Sequence, residues 1–165
     1  MDDWTVLISD GLDESGKMLL REAARVEDRP GISPAELLEA VAGCEALIVR
    51  SRSKVTREVL AAGQRLKVVG RAGVGVDNID LDAARELGVR VVNSPQATTL
   101  AVAEHALGLM LALARGIPRA DASMKAGEWI KKELEGVELS GKTLGIVGVG
   151  NIGAALASRA AALGM

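Results

Sequence analysis

The sequence predicts an α/β fold in which a parallel β-sheet is covered by helices on both faces. Short runs rich in Val, Ile and Leu alternate with helical patterns, and this alternation is typical of parallel sheets with helical crossovers. Within each run the apolar residues are consecutive, as in strands that are buried on both faces. With 165 residues, of which 48% are apolar and 25% charged, the chain is long enough to bury the core that such a sheet requires.

Five apolar runs are predicted as strands, and a weaker sixth strand is predicted near Arg25–Asp28. The five runs are Thr5–Ser9, Ala46–Val49, Lys67–Gly70, Val89–Val92 and Thr143–Val147. Residues 1–93 hold five of the six strands in alternation with helices and are predicted to form a flavodoxin-like domain. Residues 94–165 are predicted to form a helical linker region, followed by the first strand and helix of an incomplete Rossmann segment.

Local signals mark the ends of several helices. In Ser33-Pro34-Ala35-Glu36, Ser33 and Glu36 are spaced to form a capping box, so a helix is predicted from Pro34 to about Ala42. Other helices are predicted to begin at a capping side chain, at Asp13, Thr56 and Asp80. Two helices are predicted to end at a left-handed glycine, at Gly63 and Gly88.

The character of the sequence changes after Pro95. Thr99–Arg115 is helical and apolar nearly all round, which is typical of a helix buried on several sides. Two shorter helices are predicted at about Pro118–Ala126 and Ala154–Leu163, on either side of the charged stretch Glu128–Glu138.

Charge and composition argue against several classes of protein. Twenty Lys and Arg against 22 Asp and Glu give a net charge of -2, so no broad basic surface is expected for nucleic acid. The longest apolar segment, Leu100–Ala114, contains Glu104 and His105 and is shorter than the roughly 20 residues that span a bilayer, so no membrane helix is expected. Asp2 and Asp3 stand where a secretory signal has basic residues, and a cytoplasmic protein is expected.

A single cysteine and a single histidine leave little scope for metal or nucleophilic chemistry, and no metal site is predicted. Cys44 has no partner for an intrachain disulfide or a multi-cysteine metal site, and it is predicted to be inert. His105 has no Ser, Cys or Asp partner at a spacing that would indicate catalysis, so a packed or capping role is predicted instead. Trp4 and Trp129 are the only aromatic residues, which indicates either an unusual natural sequence or a simplified one.

The glycine-rich motif at residues 148–153 is the strongest functional signal. This G-x-G-x-x-G follows an apolar strand and opens a helix, as the pyrophosphate-binding turn of dinucleotide-binding folds does. The helix N-terminus would add free N–H groups and the positive end of a dipole. The predicted cofactor-binding residues are Gly148, Gly150, Asn151, Ile152 and Gly153. The alternative is a glycine-rich turn that binds no ligand.

Two further loops follow strands at one rim of the predicted sheet. The N–H groups of Gly70–Asn78 could form a small anion-binding nest, and the alternative is an ordinary turn in which Asp77 and Asn78 bond locally. The segment Arg50-Ser51-Arg52-Ser53-Lys54 suits a phosphate or a carboxylate, because Arg binds such groups in bidentate fashion. Its alternative is a solvated basic turn.

Taken together, the motifs resemble those of a known enzyme family. The segments concerned are 47–51, 55–56, 70–80, 91–95, 103–105, 111–118 and 141–145, in addition to the glycine-rich motif. They resemble the D-isomer-specific 2-hydroxyacid dehydrogenases, and within that family the NAD-dependent enzymes that oxidise 3-phosphoglycerate to 3-phosphohydroxypyruvate in serine biosynthesis. The resemblance covers essentially all 165 residues and matches the N-terminal half of the family's catalytic portion.

The resemblance implies roles for particular residues. It implies that Val74 and Gly75 present backbone N–H groups to the substrate carboxylate, and that the glycine-rich motif holds the pyrophosphate of NAD. It implies that Arg50, Arg52 and Arg71 line the substrate or phosphate region. Ser51, which lies between the first two arginines, is predicted to bind substrate with them. Ala97-Thr98 departs from the Gly-Asn pair that is common in relatives, which weakens the case for a ligand contact there. The family's catalytic Arg, Glu and His correspond to positions beyond Met165, so no catalytic residue is assigned and this chain alone is expected to be inactive.

Two interpretations stay open from the sequence. One is an NAD-dependent dehydrogenase segment that needs the remaining half for activity. The other is a non-catalytic α/β domain, a natural remnant or an engineered fragment, with residual anion binding or a role in association. The expected ligand is a small phosphorylated or carboxylated molecule. The unpaired strand Thr143–Val147 and the apolar helix Thr99–Arg115 would either fold back on the sheet or be exchanged between chains, and a homodimer through residues 99–165 is expected.

Overall fold

The computed structural model describes residues 4–165, and the prediction that concerns Asp2 and Asp3 lies outside them. The chain forms two compact units, which divide between Pro95 and Gln96. Each unit has its own secondary-structure elements.

The first unit is a five-stranded parallel sheet with helices on both faces. Its strands are β1 (Thr5–Ile8), β2 (Arg25–Asp28), β3 (Ala46–Val49), β4 (Val68–Arg71) and β5 (Arg90–Asn93). Its helices are α1 (Glu14–Arg21), α2 (Pro34–Val41), α3 (Arg57–Ala62) and α4 (Leu81–Glu86). The strand order is β2-β1-β3-β4-β5 with every pair parallel, so the flavodoxin-like arrangement predicted from the sequence is confirmed.

The core of this unit lies mainly between the sheet and helices α2, α3 and α4. Leu7, Leu47 and Val69 project from the three central strands into this layer and are fully buried. On the opposite face, Val6 and Ile8 pack in a smaller cluster with side chains from α1. Because all five strands are parallel, the loops that follow them lie at one rim of the sheet.

The helix caps follow the local sequence in most cases. Ser33 and Glu36 form the predicted capping box, in which the Ser33 N–H donates to Glu36 Oε2 at 2.9 Å. Asp13 and Asp80 cap α1 and α4 through their side chains, whereas Thr56 precedes α3 without a side-chain bond.

The two glycines that were predicted to end helices differ. Gly88 has a φ of 71°, as predicted. The prediction is wrong for Gly63, whose φ is -77°. A Cβ at this position would lie 2.8 Å from the Leu66 Cβ. Gly63 therefore serves to make room for a neighbouring side chain, and no left-handed backbone is needed.

The second unit is helical. It contains α5 (Thr99–Ala114), α6 (Ile117–Lys125), a short 3-10 helix (Lys131–Glu133) and α7 (Asn151–Ala162). The predicted strand Thr143–Val147 is wrong, since no β-strand forms there among the described residues. A strand needs a neighbour for its N–H and C=O groups, and this unit contains no other strand in the part of the chain that the structure describes. Helix α7 also begins three residues before the predicted Ala154.

Helix α5 is far more exposed than its composition predicts. The sequence predicts burial on several sides, but Ala103 is its only buried residue and 85% of Leu113 is exposed. The helix packs against α6 and α7, and these two short helices leave much of its apolar surface uncovered.

No single helix among the described residues is both long and apolar enough to cross a membrane. Helices α5 and α6 reach the required length and composition only as a pair, and they are bent by 66° at the break between them.

Candidate functional site

The candidate anion site lies at the rim formed by the carboxyl ends of the strands. In open α/β sheets, ligands bind at this edge. Four segments of the first unit meet there, after β1, β3, β4 and β5. They contain Asp10, Arg50–Lys54, Ala72–Asn78 and Asn93–Ser94.

Asp10 holds the loop that follows β3. Its buried carboxylate accepts hydrogen bonds from the N–H groups of Arg50 at 2.8 Å, Arg52 at 3.1 Å and Ser53 at 3.0 Å, and from the Ser53 hydroxyl at 2.5 Å. Burial alone would raise the pKa of Asp10, but these hydrogen bonds outweigh burial and hold its pKa below the ordinary value of 3.8. The ionised carboxylate thus fixes the backbone from which the Arg50 and Arg52 side chains project.

Asn78 fastens the loop after β4 to the loop after β3. Its side-chain amide donates to the carbonyls of Arg50 at 2.9 Å and Ser53 at 2.7 Å. The Val55 N–H donates to the Asn78 carbonyl at 2.8 Å, and the Asp80 N–H donates to the Val55 carbonyl at 2.9 Å. The side-chain bonds of Asn78 are long-range, so the local turn bonding considered as an alternative does not describe this residue.

Residues at the end of β5 form hydrogen bonds with the loop after β4. The Asn93 side-chain amide donates to the Val74 carbonyl at 2.6 Å, and the Ser94 N–H donates to the Gly73 carbonyl at 2.9 Å. Among residues 4–165, the N–H groups of Val74 and Gly75 have no hydrogen-bond acceptor. Two consecutive free N–H groups on a fixed loop form the kind of nest that binds an anion.

Arg71 lies directly beside this nest. Its guanidinium occupies the space over Gly73, where a Cβ would overlap Nη1. Its Nε is buried and has no hydrogen-bond partner among the described residues. A buried, unpaired donor of this kind needs an acceptor such as water or a ligand, so Arg71 suits an anionic group beside the nest.

The other predicted side chains at the rim differ in their surroundings. Arg50 is exposed and belongs to no salt bridge of the described residues. Arg52 turns toward the β1 side, with Nε 3.9 Å from Asp10 Oδ1. Ser51 lines a recess of about 500 Å³ that is also lined by Lys54 and Asp77. The N–H and hydroxyl groups of Ser53 already donate to Asp10. Arg50 and Arg71 are therefore the side chains at this rim that are best suited to bind an added anion.

The glycine-rich turn lies in the second unit, where it leads into α7. Gly148 has a φ of 94°, a conformation that favours glycine. A Cβ on Gly153 would overlap the Gly148 carbonyl oxygen, so the helix can approach the turn only at a glycine. Gly150 is the N-cap of α7, and a Cβ there would meet no atom within 4 Å. The Asn151 and Ile152 N–H groups begin the helix without acceptors among the described residues.

These features fit the pyrophosphate of a dinucleotide. The open space at Gly150 gives a phosphate access to the backbone, and the free N–H groups of the first turn of α7 would donate to its oxygens. The backbone geometry favours glycine at positions 148 and 153, whereas glycine at position 150 would be needed only where a phosphate approaches the backbone closely.

The remaining candidates carry no chemistry at either site. The His105 side chain is exposed on α5 and makes no hydrogen bond to residues 4–165, so the predicted packed or capping role is wrong. Cys44 is buried, its thiol donates to the Ala40 carbonyl at 3.2 Å, and burial raises the pKa of the thiol. Glu104 pairs with Arg159 of α7 at 3.6 Å.

Sequence reasoning missed Asp10, Asn78 and Asn93 as site residues. Asp10 and Asn78 lie in the loops after β1 and β4, and Asn93 is the last residue of β5. Each of them binds the backbone of another loop. The signal that could have found them is a short polar side chain at the carboxyl end of a strand, because such residues share the rim with the predicted anion site.

Comparison with known proteins identifies related sequences over nearly the whole chain. Residues 6–163 match the family model of the D-isomer specific 2-hydroxyacid dehydrogenase catalytic domain. The chain is 51% identical over 160 residues to D-3-phosphoglycerate dehydrogenase of Methanocaldococcus jannaschii, a match that covers 97% of this chain and 30% of that protein. It is 48% identical over 161 residues to the human D-3-phosphoglycerate dehydrogenase, with the same coverage of each. The chain thus spans about 30% of the length of these curated relatives.

Solved structures share the fold. A protein of Thermus thermophilus matches with a TM-score of 0.90 and 41% identity, over 98% of this chain and 54% of its own. An acyclic imino acid reductase in complex with NADPH and D-Arg matches with a TM-score of 0.86 and 26% identity, over 98% of this chain and 54% of its own.

Proposed function

This chain belongs to the D-isomer specific 2-hydroxyacid dehydrogenase family, and we propose that it carries the substrate-anion site and the NAD pyrophosphate site of an enzyme that oxidises 3-phosphoglycerate. The names of the curated relatives support this substrate. The fit of the turn at residues 148–153 to a pyrophosphate supports a dinucleotide cofactor.

The substrate carboxylate is assigned to the nest after β4. The N–H groups of Val74 and Gly75 donate to its oxygens, and a charge-assisted hydrogen bond of this kind is stronger than a neutral one. Because the nest is fastened by Asn78 and Asn93, the loop does not need to reorganise when the ligand binds.

The substrate phosphate is assigned to the arginines of the same rim. The Arg71 guanidinium lies over Gly73 beside the nest, and Arg50 projects from a loop that Asp10 holds in place. A guanidinium can bind a phosphate through two parallel hydrogen bonds, which fixes the orientation of the ligand as well as its position.

Oxidation converts the C2 hydroxyl of the substrate to a ketone and releases a hydride and a proton. NAD, when bound at residues 148–153, supplies the acceptor for the hydride. The proton requires a base, and none of the described residues is assigned this role. We therefore expect a polypeptide limited to these 165 residues to bind the ligand without oxidising it. NADH formation above a no-protein blank, in protein free of host dehydrogenases, would contradict this expectation.

The observation that carries the proposal is the pair of unpartnered N–H groups on Val74 and Gly75. A ¹H–¹⁵N titration with 3-phosphoglycerate tests it, and we expect progressive shifts of these two amides. Glycerate, which has the carboxylate and no phosphate, should shift them too, whereas inorganic phosphate should chiefly shift the surroundings of Arg50 and Arg71.

An Arg50→Ala plus Arg71→Ala variant separates the two halves of this site. It should lose the shifts caused by inorganic phosphate and keep those that glycerate causes at Val74 and Gly75. The matched control is Arg85→Ala, since Arg85 lies on α4 and pairs with Asp82. If inorganic phosphate still causes the same shifts in the double variant, the assignment of the phosphate to the arginines is wrong. If the Val74 and Gly75 amides do not shift in any titration, the assignment of the carboxylate to the nest is wrong.

We also propose that the chain forms a homodimer through residues 99–165. The exposed apolar side chains of the second unit favour this role, and they include Leu109, Leu113, Met124, Trp129 and Val147. An exposed apolar surface is typical of an interaction site, and a second copy of this chain would bring the same apolar α5 face to a symmetric contact.

A further inference from the structure

Two successive carbonyl groups of the loop after β4 are both bound by the end of β5. The Ser94 N–H donates to the Gly73 carbonyl at 2.9 Å, and the Asn93 side chain donates to the Val74 carbonyl at 2.6 Å. No other side chain of the described residues binds either carbonyl.

A bound carbonyl also fixes the direction of the next N–H group. In a trans peptide, the C=O and the following N–H lie in one plane and point in opposite directions, and the described residues contain no cis peptide bond. Holding the Gly73 carbonyl toward β5 therefore turns the Val74 N–H away from β5. Holding the Val74 carbonyl in the same way turns the Gly75 N–H away from β5.

We propose that Asn93 is a positioning residue that aims the Gly75 N–H at the substrate carboxylate, while the Ser94 N–H aims that of Val74. The inference rests on the proposed function, because it names how the nest assigned there is kept in a binding geometry. Asn93 touches neither the carboxylate nor any reacting atom and acts only through the peptide between Val74 and Gly75.

The surroundings of Asn93 favour orientation over general stability. Asn93 is an exposed residue at the end of an edge strand, so water can satisfy its amide in the unfolded and folded chain alike, and its hydrogen bond adds little net stability. The glycine at position 75 leaves its N–H free to rotate when nothing holds the peptide. A hydrogen-bond donor at position 93 is thus needed to fix the direction of the Gly75 N–H group. Asp has the same shape as Asn but no donor when it is ionised, so it cannot replace Asn93 in this role.

The test compares the wild-type chain with Asn93→Asp and Asn93→Ala in two measurements. The first uses no ligand and measures ¹⁵N relaxation at Gly75. We expect an order parameter typical of rigid backbone, about 0.85, in the wild type, and a fall toward about 0.6 in both variants. An unchanged order parameter in both variants would overturn the proposal.

The second measurement is a titration with glycerate and with inorganic phosphate. We expect both Asn93 variants to lose at least about tenfold in glycerate affinity, the scale of one charge-assisted hydrogen bond, and to keep the phosphate shifts near Arg50. Gln64→Glu is the matched control for the added charge of Asn93→Asp, since Gln64 is exposed and lies near the opposite ends of the strands.

The two proposals fail in different ways. If the wild-type chain shows no glycerate shift at Val74 and Gly75, the proposed function fails and the carboxylate role of Asn93 fails with it. If the wild type binds glycerate and both Asn93 variants bind it equally well, the positioning role is wrong and the proposed function stands.

Discussion

The carboxylate of Asp10 holds Ser53 through two hydrogen bonds, at 3.0 Å from its N–H and at 2.5 Å from its hydroxyl. The two residues are 43 positions apart in the sequence, and the contact joins the end of β1 to the loop after β3. An acidic side chain thus organises the loop that presents two arginines. It does so because every hydrogen bond that the carboxylate accepts comes from the loop itself.

Replacing Asp10 by Asn should destabilise the chain in a pH-dependent way. Because the pKa of Asp10 is lowered in the folded state, its contribution is fully present above the unfolded pKa of about 3.9 and is lost as the pH falls through the folded pKa. Thermal unfolding between pH 7 and pH 3 should show wild type more stable than Asp10→Asn at pH 5 to 7, with the difference shrinking toward pH 3. Asp82→Asn, at an exposed position of α4, is the control. A difference of the same size at pH 3 and pH 7 would contradict the role of the ionised carboxylate.

Replacing Ser33 by Ala should lower the free energy of unfolding by about 1 kcal/mol, the usual effect of losing an N-cap. The Ser33 hydroxyl accepts from the Glu36 N–H at 3.3 Å and the Glu36 carboxylate binds back to Ser33, so one substitution breaks half of the capping box. Urea unfolding measures the change. Ser158→Ala, at an exposed position inside α7, should not lower stability. Equal effects of the two substitutions would show that the box contributes nothing to α2.

Replacing Gly150 by Ala should reduce NAD binding at least about tenfold and leave the fold intact. A Cβ at Gly150 meets no protein atom and the φ of -83° suits alanine, so only an incoming phosphate would meet the new methyl group. NAD titration followed by the amides of residues 148–153 measures the effect. Gly145→Ala is a close control, because Gly145 also has open space around it and lies outside the turn. Unchanged NAD affinity in Gly150→Ala would argue against a pyrophosphate at this turn.

Replacing Leu113 by Glu should convert a dimer into a monomer. Of this side chain, 85% is exposed, so the substitution costs the isolated unit little and places a charge in the proposed contact. Light scattering over a range of protein concentrations gives the mass. Leu87→Glu, which changes an exposed leucine of the first unit, should leave the mass unchanged. A monomeric wild type at all concentrations would contradict the dimer.

Short-range sequence signals predicted the first unit well. The strand Ala46–Val49 and the capping box at Ser33 were both predicted correctly. The strand is determined by a run of consecutive apolar residues, and the capping box by side chains that reach backbone groups within one helical turn. The strand order followed from the alternation of strands and helices, since right-handed crossovers leave few arrangements.

Long-range relationships escaped prediction. Thr143–Val147 has the composition of a strand, but a strand forms only where a neighbouring strand pairs with it. The residues of the run itself do not show whether such a neighbour is present. Asn78 and Asn93 fasten backbone 28 and 19 positions away, and such contacts exist only once the sheet has brought the strand ends together. The exposure of Leu113 has the same origin, because burial depends on what packs against α5.

A crystal structure of the chain with 3-phosphoglycerate would show whether the Val74 and Gly75 N–H groups bind the substrate carboxylate. We expect one carboxylate oxygen within about 2.7–3.2 Å of each of these nitrogen atoms, the range of an N–H to oxygen hydrogen bond, with the phosphate on the side of Arg50 and Arg71. Density that places the phosphate on the nest and the carboxylate on the arginines, or the ligand away from this rim, would contradict it.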